Sequence, residues 1–234
     1  MNVKQLLAAT IIGDVVGSYY EGAQPVQLMT VPTELLPENQ LLRILPLDLE
    51  KHRSSWTYTD DTICSLALLQ AYLTASSEED CLRKYCLRYA HPLIGFGGTF
   101  KKWLKNSNMG PYGSNANGCL MRVGFIPSLP LTLHDALNYA QKCTNITHNS
   151  PEAQQSVSDF IALCFILRES KNKEHLKMYL DQHQFSHTPP SLRDRKIFSM
   201  NSFETLYIAA TCVLFSSNFE QVLLNCLNVG VVNC

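Results

Sequence analysis

Apolar residues recur along this chain at the three- and four-residue spacing of amphipathic helices, and alternating apolar and polar runs are almost absent. That spacing puts apolar side chains on one face of a helix, whereas a half-buried strand needs alternation. Residues that cap helix N-termini also precede the periodic segments. These capping patterns are Ser76-x-x-Glu79, Thr132-x-x-Asp135, Asn218-x-x-Gln221, Ser150 before Pro151 and Glu152, and Ser202. The sequence therefore predicts one mostly α-helical domain over residues 1–234, without a sheet of three or more strands.

A chain of 234 residues, 46% of them hydrophobic, is long enough to bury a substantial core. That length suits one domain, or at most two small ones. Charged residues make up only 17%, and 19 Lys and Arg against 20 Asp and Glu leave a net charge of -1. Binding to nucleic acid or to an anionic membrane surface needs a cationic face. The composition therefore predicts no nucleic-acid partner and no membrane partner.

The nine cysteines are an odd number, are scattered, and include no C-x-x-C pair. Several of them, such as Cys164, lie among apolar neighbours, so we interpret them as reduced thiols of the core. The apolar run at 6–13 is too short for a signal peptide, and the runs at 160–167 and 208–215 are too short to span a bilayer. The sequence therefore predicts a cytoplasmic protein.

Two adjacent acids open one of the predicted helices. Thr59, Asp60, Asp61 and Thr62 stand immediately before the periodic run that starts at Ile63. One interpretation is a helix cap with a first-turn acid that complements the helix dipole. One acid would be enough for that role, and two adjacent carboxylates repel each other unless a cation compensates them. Because Mg²⁺ and Mn²⁺ are bound by such oxygen donors, a helix cap and a metal site remain the alternatives here.

A second cluster contains Gly13, Asp14, Gly17 and Glu21 at the end of the first predicted helix. Glycines four residues apart in a soluble helix usually permit close approach of a neighbouring backbone. We interpret Asp14 as a buried partner of a helix cap. Glu21 lies where the helix gives way to a proline-bearing segment, and by itself it has the pattern of a solvated glutamate.

A run of small polar residues at 112–118 can turn tightly and present backbone N–H groups ahead of a Met-Arg step at 121–122. Loops of this composition bind phosphates, but many are ordinary connections. His148 stands just ahead of the helix that is predicted to start at Pro151. A capping or packing histidine is the alternative to a binding role for it.

Six segments, taken in order, resemble the ADP-ribosylglycohydrolases, the family that includes the dinitrogenase-reductase-activating glycohydrolase. They read GDVVGSYYE, YTDDT, GFGGTFKKWL, PYGSNANGCLMRV, ITHNSPEA and SSNFEQVLLNCLNVG. The resemblance extends from about residue 6 to Gly230, nearly the whole chain. Each motif alone is weak, whereas six in the family's order are specific.

The resemblance implies an all-α, single compact orthogonal multi-helix domain with two Mg²⁺ or Mn²⁺ ions at the base of an ADP-ribose cleft. Such enzymes hydrolyse the glycosidic bond at C1 of the distal ribose and release ADP-ribose from a modified protein side chain or a small molecule. By resemblance, Thr59, Asp60 and Asp61 are metal ligands, and Glu21, Asp60 and Asp61 are catalytic. The substrate-binding residues implied by the motifs are Gly97, Tyr112, Gly113, Ser114, Asn117, Gly118 and, on the adenosine side, His148. We expect a monomer whose partner is ADP-ribose or an ADP-ribosylated protein.

The sequence departs from the family's pattern at its C-terminal end. The family's second metal-binding segment, Gly-Asp-x-Asp-Thr, should follow Val229-Gly230, but the sequence continues as Val231-Val232-Asn233-Cys234. Ala116 also stands in a loop where glycine is more usual. We therefore expect a chain truncated at its C-terminus that holds at most one divalent ion and has lowered activity on an unchanged fold. The alternative function is that of an ADP-ribose-binding pseudoenzyme or a truncated gene product.

Overall fold

The computed structural model describes residues 3–18, 57–91, 94–194 and 200–229. In these ranges the chain forms an all-α compact domain, as the periodicity predicts, and the only pairing of the strand type is an isolated bridge between Ala116 and Asn201. The helices are α1 (Val3–Ser18), α2 (Asp60–Thr74), α3 (Glu78–Tyr89), α4 (Gly98–Lys105), α5 (Gly118–Met121), α6 (Leu133–Asn145), α7 (Pro151–Ser170), α8 (Glu174–Gln182), α9 (Pro189–Asp194), α10 (Ser202–Leu214) and α11 (Phe219–Val229).

Three predicted helix starts are confirmed by their hydrogen bonds. The Thr132 hydroxyl accepts from the backbone N–H of Asp135 at the start of α6, and the Ser150 hydroxyl accepts from that of Ala153 at the start of α7. The side-chain oxygen of Asn218 accepts from the N–H of Gln221 in the same way. Each cap satisfies a first-turn N–H that has no partner inside its helix.

Two predicted caps were wrong by one residue. Ser77, and not Ser76, caps α3, because Ala75 adopts a left-handed conformation and the N–H of Ser76 still bonds to Ala71 O at the end of α2. Asn201, and not Ser202, caps α10. Its side-chain oxygen accepts from two backbone N–H groups of the first turn, whereas the Ser202 hydroxyl lies 2.9 Å from that of Ser156.

The core forms where α2, α5, α6, α7 and α10 meet. Apolar side chains from these helices and from the connection at 122–129 are almost fully buried there; they include Leu68, Val123, Phe125, Ala140, Val157, Ile161 and Leu206. A second cluster, built by α2, α3 and α4, surrounds the fully buried Trp103. Because α2 takes part in both clusters, its N-terminal acids are held on a well-packed helix.

The cysteine prediction is confirmed for the eight cysteines that the structure describes. All eight are free thiols, and six of them are buried. The sulfur atoms of Cys64 and Cys86 lie 3.8 Å apart in the core without a covalent bond. Within the described ranges, no helix combines the length and the apolar character that crossing a bilayer requires.

Candidate functional site

One cavity of about 450 Å³ gathers most of the residues that the motifs single out. It opens between the start of α2, the segment that leads into α4, the 112–118 loop and His148, which lies before α7. Residues from distant parts of the sequence therefore share one site. The predicted site residues that line it are Asp60, Asp61, Gly97, Tyr112, Ser114, Asn117, Gly118 and His148.

Two predicted site residues, Thr59 and Gly113, do not line this cavity, and a third, Glu21, falls outside the described ranges. Thr59 is fully buried. Gly113 lies at the surface with a φ of 69°, a left-handed conformation that glycine adopts without strain, and its N–H donates to Asn149 Oδ1 at 2.7 Å. Glu21 lies outside the described residues, so its predicted catalytic role stays a prediction.

Asp14 of α1 caps the N-terminus of α2 from 45 residues away. Its Oδ2 accepts from the backbone N–H groups of Thr59 and Thr62, at 2.9 and 3.2 Å, and also from the Thr62 hydroxyl. Its Oδ1 accepts from the Thr59 hydroxyl at 2.5 Å. The Thr59 side chain itself makes no capping bond, so a carboxylate from another helix performs the capping. This confirms the interpretation of Asp14 as a buried cap partner.

The acidic end of α2 has the donor set that a hard cation prefers. Burial raises the pKa of Asp60 to about 6, with a further increase from the Asp14 charge that the Arg122 and Lys101 charges oppose. The Thr59 hydroxyl donates to Asp14 Oδ1 at 2.5 Å, and Asp61 Oδ2 is its second, longer acceptor at 3.2 Å. A divalent cation would relieve the penalty on ionised Asp60, so the residues fit Mg²⁺ or Mn²⁺.

Acidic ligands are few around this position. Within the part of the chain that the structure describes, no three His, Cys, Asp or Glu side chains come close enough together to hold a metal ion. Among the described residues, the donors that we assign to a cation at the start of α2 are the carboxylates of Asp60 and Asp61 and the Thr59 hydroxyl, and Mg²⁺ ordinarily completes such a set with water.

Most backbone N–H groups of the 112–118 loop are already used within the protein. Besides Gly113, the N–H of Ser114 donates to Thr147 O at 3.4 Å, and that of Ala116 to the Ser114 hydroxyl at 3.3 Å. The N–H of Asn117 donates to Met200 O at 2.7 Å. These bonds fix the loop, and they leave fewer backbone donors for an anionic ligand than the sequence predicted.

Arg122 supplies a positive charge at the wall of the cavity. It is 1% exposed, and none of the described carboxylates lies within salt-bridge distance of it. Its Nε donates to Gly118 O at 2.6 Å and its Nη1 to the Thr147 hydroxyl at 2.9 Å, while Nη2 lies 3.1 Å from His148 Nδ1. Burial and the Arg122 charge lower the pKa of His148 to about 2.

The motif argument assigned no binding role to Arg122 or Met200, although both line the cavity. An arginine within the apolar run at 119–123 was the available signal for Arg122, since a charged residue there must be buried with specific partners. Met200 is about half exposed and follows the motif loop by some 80 residues, so nothing local to it marks a site.

A second, apolar cavity of about 310 Å³ adjoins the first. It is lined mainly by side chains of α1, α10 and α11. Asp61, Asn117 and Met121 line both cavities, so they form the wall between the polar cleft and the apolar space.

Proteins with similar sequences are known. The human ADP-ribosylhydrolase ARH3 is 29% identical over 196 residues, which cover 76% of this chain and 53% of that protein. Bovine ADP-ribosylhydrolase ARH3 is 28% identical over 188 residues, which cover 72% of this chain and 50% of that protein. The chain thus spans about half the length of the curated relatives it matches.

The fold is also found in a solved structure, described as an ADP-ribosylglycohydrolase-related protein complex. The TM-score is 0.54 at 21% sequence identity, and the match covers 97% of this chain and 83% of the other. At that identity the likeness concerns the fold. The family model for ADP-ribosylglycohydrolases matches residues 2–234, and the chain therefore belongs to the ADP-ribosylglycohydrolase family.

Proposed function

We propose that this chain is a hydrolase that releases ADP-ribose from an ADP-ribosylated protein side chain or small molecule. The observation that carries the proposal is the convergence of Asp60, Asp61, Asn117, Arg122 and His148 on one cavity. Its volume of about 450 Å³ lies in the usual range of small-molecule sites, and it combines carboxylates with groups that suit an anionic ligand. Family membership supports the reaction type.

The reaction requires that water add to C1 of the ribose while the bond from C1 to the substrate nitrogen or oxygen breaks. The leaving atom takes up a proton, and the products are free ADP-ribose and the unmodified group. An anionic carboxylate next to C1 stabilises the positive charge that develops there, and it also orients the attacking water. We assign these roles to Asp60 and Asp61, and we assign proton removal from water to Glu21.

Thr59, Asp60 and Asp61 would hold a divalent cation. When bound, Mg²⁺ or Mn²⁺ lowers the pKa of a ligated water and polarises ligated hydroxyl oxygens. Asp14 keeps the Thr59 hydroxyl oriented for this purpose, because it takes the hydroxyl proton and leaves the lone pairs free.

The other end of the cavity would bind the ADP part of the ligand. Asn117 and Ser114 offer polar side chains there, and the Tyr112 ring lies 6.3 Å from the His148 ring, centre to centre. The resemblance to the dinitrogenase-reductase-activating type and the C-terminal truncation both stay predictions.

The test incubates the chain with Arg-linked and Ser-linked ADP-ribosylated peptides, once with Mg²⁺ and once with a chelator. Chromatography then measures the ADP-ribose that is released. We expect Asp60→Asn and Asp61→Asn each to lower kcat/KM by about 10²-fold or more, the usual worth of such a carboxylate. The matched control is Asp181→Asn, because Asp181 is an exposed carboxylate on α8, away from the cavity. Unchanged release by both site variants would overturn the proposal, as would failure of the chain to bind ADP-ribose.

A further inference from the structure

The contact between Arg122 and His148 determines which nitrogen of the histidine ring carries hydrogen. A guanidinium group can only donate hydrogen bonds, and Arg122 Nη2 lies 3.1 Å from His148 Nδ1. The Thr147 hydroxyl, which accepts from Arg122 Nη1, lies 2.7 Å from the same Nδ1 and fits either role of that nitrogen, because a hydroxyl both donates and accepts. The requirement for a lone pair on Nδ1 therefore comes from Arg122. The ring hydrogen is therefore on Nε2.

The Nε2 edge of the ring faces the cavity beside Gly118. A Cβ atom added to Gly118 would lie 3.2 Å from Nε2 and 3.3 Å from Cε1, so the glycine leaves this edge uncovered. His148 and Gly118 both line the cavity. The ring thus offers a fixed N–H donor to whatever occupies the space in front of Gly118.

The charges around the ring favour an anionic acceptor. Among the described residues, the titratable groups that face it are Arg122 and Tyr112, and Asp60 and Asp61 lie elsewhere around the same cavity. The Arg122 charge has no carboxylate within salt-bridge distance among the described residues. Four N–H groups of the 112–118 loop are already bonded inside the protein, so side-chain donors are needed beside the remaining backbone groups to bind an anionic ligand.

We propose that Arg122 is a positioning residue that holds His148 in the Nε2–H tautomer, so that a neutral imidazole donates a hydrogen bond to a phosphate oxygen of the ligand. The phosphate part of this inference rests on the proposed function, while the tautomer is a property of the free protein. His148 is then a binding group that takes no part in proton transfer. Arg122 lies on the Nδ1 side of the ring, so its charge acts on the ligand without a direct contact.

The tautomer is tested by nitrogen-15 NMR of the histidine rings in the free protein, with His148→Asn used to assign the signal. We expect Nε2 to be protonated and Nδ1 to be unprotonated from pH 8 to pH 5. A protonated Nδ1, or a ring that becomes charged within that range, would overturn the proposal. In Arg122→Gln, whose amide can donate or accept, we expect a mixture of the two tautomers.

The ligand contact is tested by calorimetry with a matched pair of substitutions. His148→Asn keeps an acceptor for Arg122 and loses the donor at the Nε2 position, whereas His148→Gln keeps an N–H at about that position. We expect the Asn variant to bind ADP-ribose at least about tenfold more weakly than the Gln variant, with little difference between them for adenosine. Equal affinities of the two variants for ADP-ribose would overturn the phosphate contact.

The outcomes separate this inference from the proposed function. A wild-type chain that does not bind ADP-ribose overturns the proposed function and the phosphate contact together, even if NMR shows the Nε2–H tautomer. A wild-type chain that binds ADP-ribose but carries an Nδ1–H ring overturns the inference alone. If Arg122→Gln does not fold, the NMR of the wild-type protein and the calorimetry of the two His148 variants still test the inference.

Discussion

At the scale of single residues, the buried His148 makes stability depend on pH. Its pKa is lowered from 6.5 to about 2, so below pH 6.5 the unfolded chain takes up a proton that the folded chain does not. Stability from this group is therefore complete above pH 6.5 and is lost as the pH falls towards 2. We predict that wild type loses about 2 kcal/mol more unfolding free energy between pH 7 and pH 5 than His148→Asn does.

Urea unfolding at the two pH values measures this difference. Asp60 acts in the opposite direction, because its pKa is raised to about 6 and the folded state gains a proton there as the pH falls. That contribution is shared by wild type and variant, so the comparison between them isolates His148. If wild type and His148→Asn lose the same unfolding free energy between pH 7 and pH 5, the folded state accommodates a charged His148 ring.

Gly118 provides a second prediction at this scale. A methyl group there would press on His148 Nε2 at 3.2 Å and stand 3.6 Å from Arg122 Nη2. We expect Gly118→Ala to reduce ADP-ribose affinity about tenfold and stability by about 1–2 kcal/mol, because the ring must shift from its bonded position. Gly110→Ala is the control, since its Cβ meets no atom within 4 Å. If both variants bind like wild type, the ring edge beside Gly118 does not contact the ligand.

At the scale of helices, Asp14 links α1 to the start of α2. Asp14→Asn removes the charge that caps α2 and replaces one acceptor oxygen by an amide N–H₂ group. The donors around it keep their acceptors only if the Thr59 hydroxyl turns from Asp14 to Asp61. The substitution weakens the cap of α2 and also disturbs buried hydrogen bonds of Asp14. From these two contributions we predict a decrease of about 3 kcal/mol in unfolding free energy. Asp181→Asn is the exposed control, and equal midpoints of the two variants in urea would contradict the prediction.

Helices were predictable from the sequence to the extent that their signals are local. Thr132, Ser150 and Asn218 bond within the next three residues, and each was identified correctly. Ser76 and Ser202 were not helix caps. The choice between neighbouring polar residues depended on a left-handed Ala75 and on the contact of Ser202 with Ser156, which the spacing of apolar residues does not encode.

The site was predictable only where a motif marks it. The aspartates at 60 and 61 and the loop at 112–118 stand out in the sequence, and the structure brings them to one cavity. Arg122, the partner of His148, did not stand out, because the two residues are 26 positions apart and their contact depends on how the chain folds back. The same holds for Met200, whose backbone fixes the Asn117 end of the loop.

At the scale of the whole molecule, we expect the described acidic side chains to hold few metal ions. Two ions in an all-oxygen site need about six ligands each. Among the described residues, the start of α2 offers Asp60, Asp61 and Thr59, and no three His, Cys, Asp or Glu side chains come together as a metal site. We predict that the chain binds at most one Mg²⁺, measured by calorimetry beside a version extended with Gly-Asp-Ser-Asp-Thr and a following helix. Two bound ions in the unextended chain would show that other groups complete the site.

The cap from Asp14 also has a consequence for the order in which the chain folds. Neighbouring helices such as α2 and α3, or α6 and α7, are joined by the short connections 75–77 and 146–150, so they can pair at little cost in loop entropy. Docking α1 onto α2 requires closing the long stretch between Asp14 and Thr59. We therefore expect the folding transition state to contain the helix pairs without α1. In that state the N-terminus of α2 has no cap, so we expect the chain to assemble its scaffold first and its candidate site last.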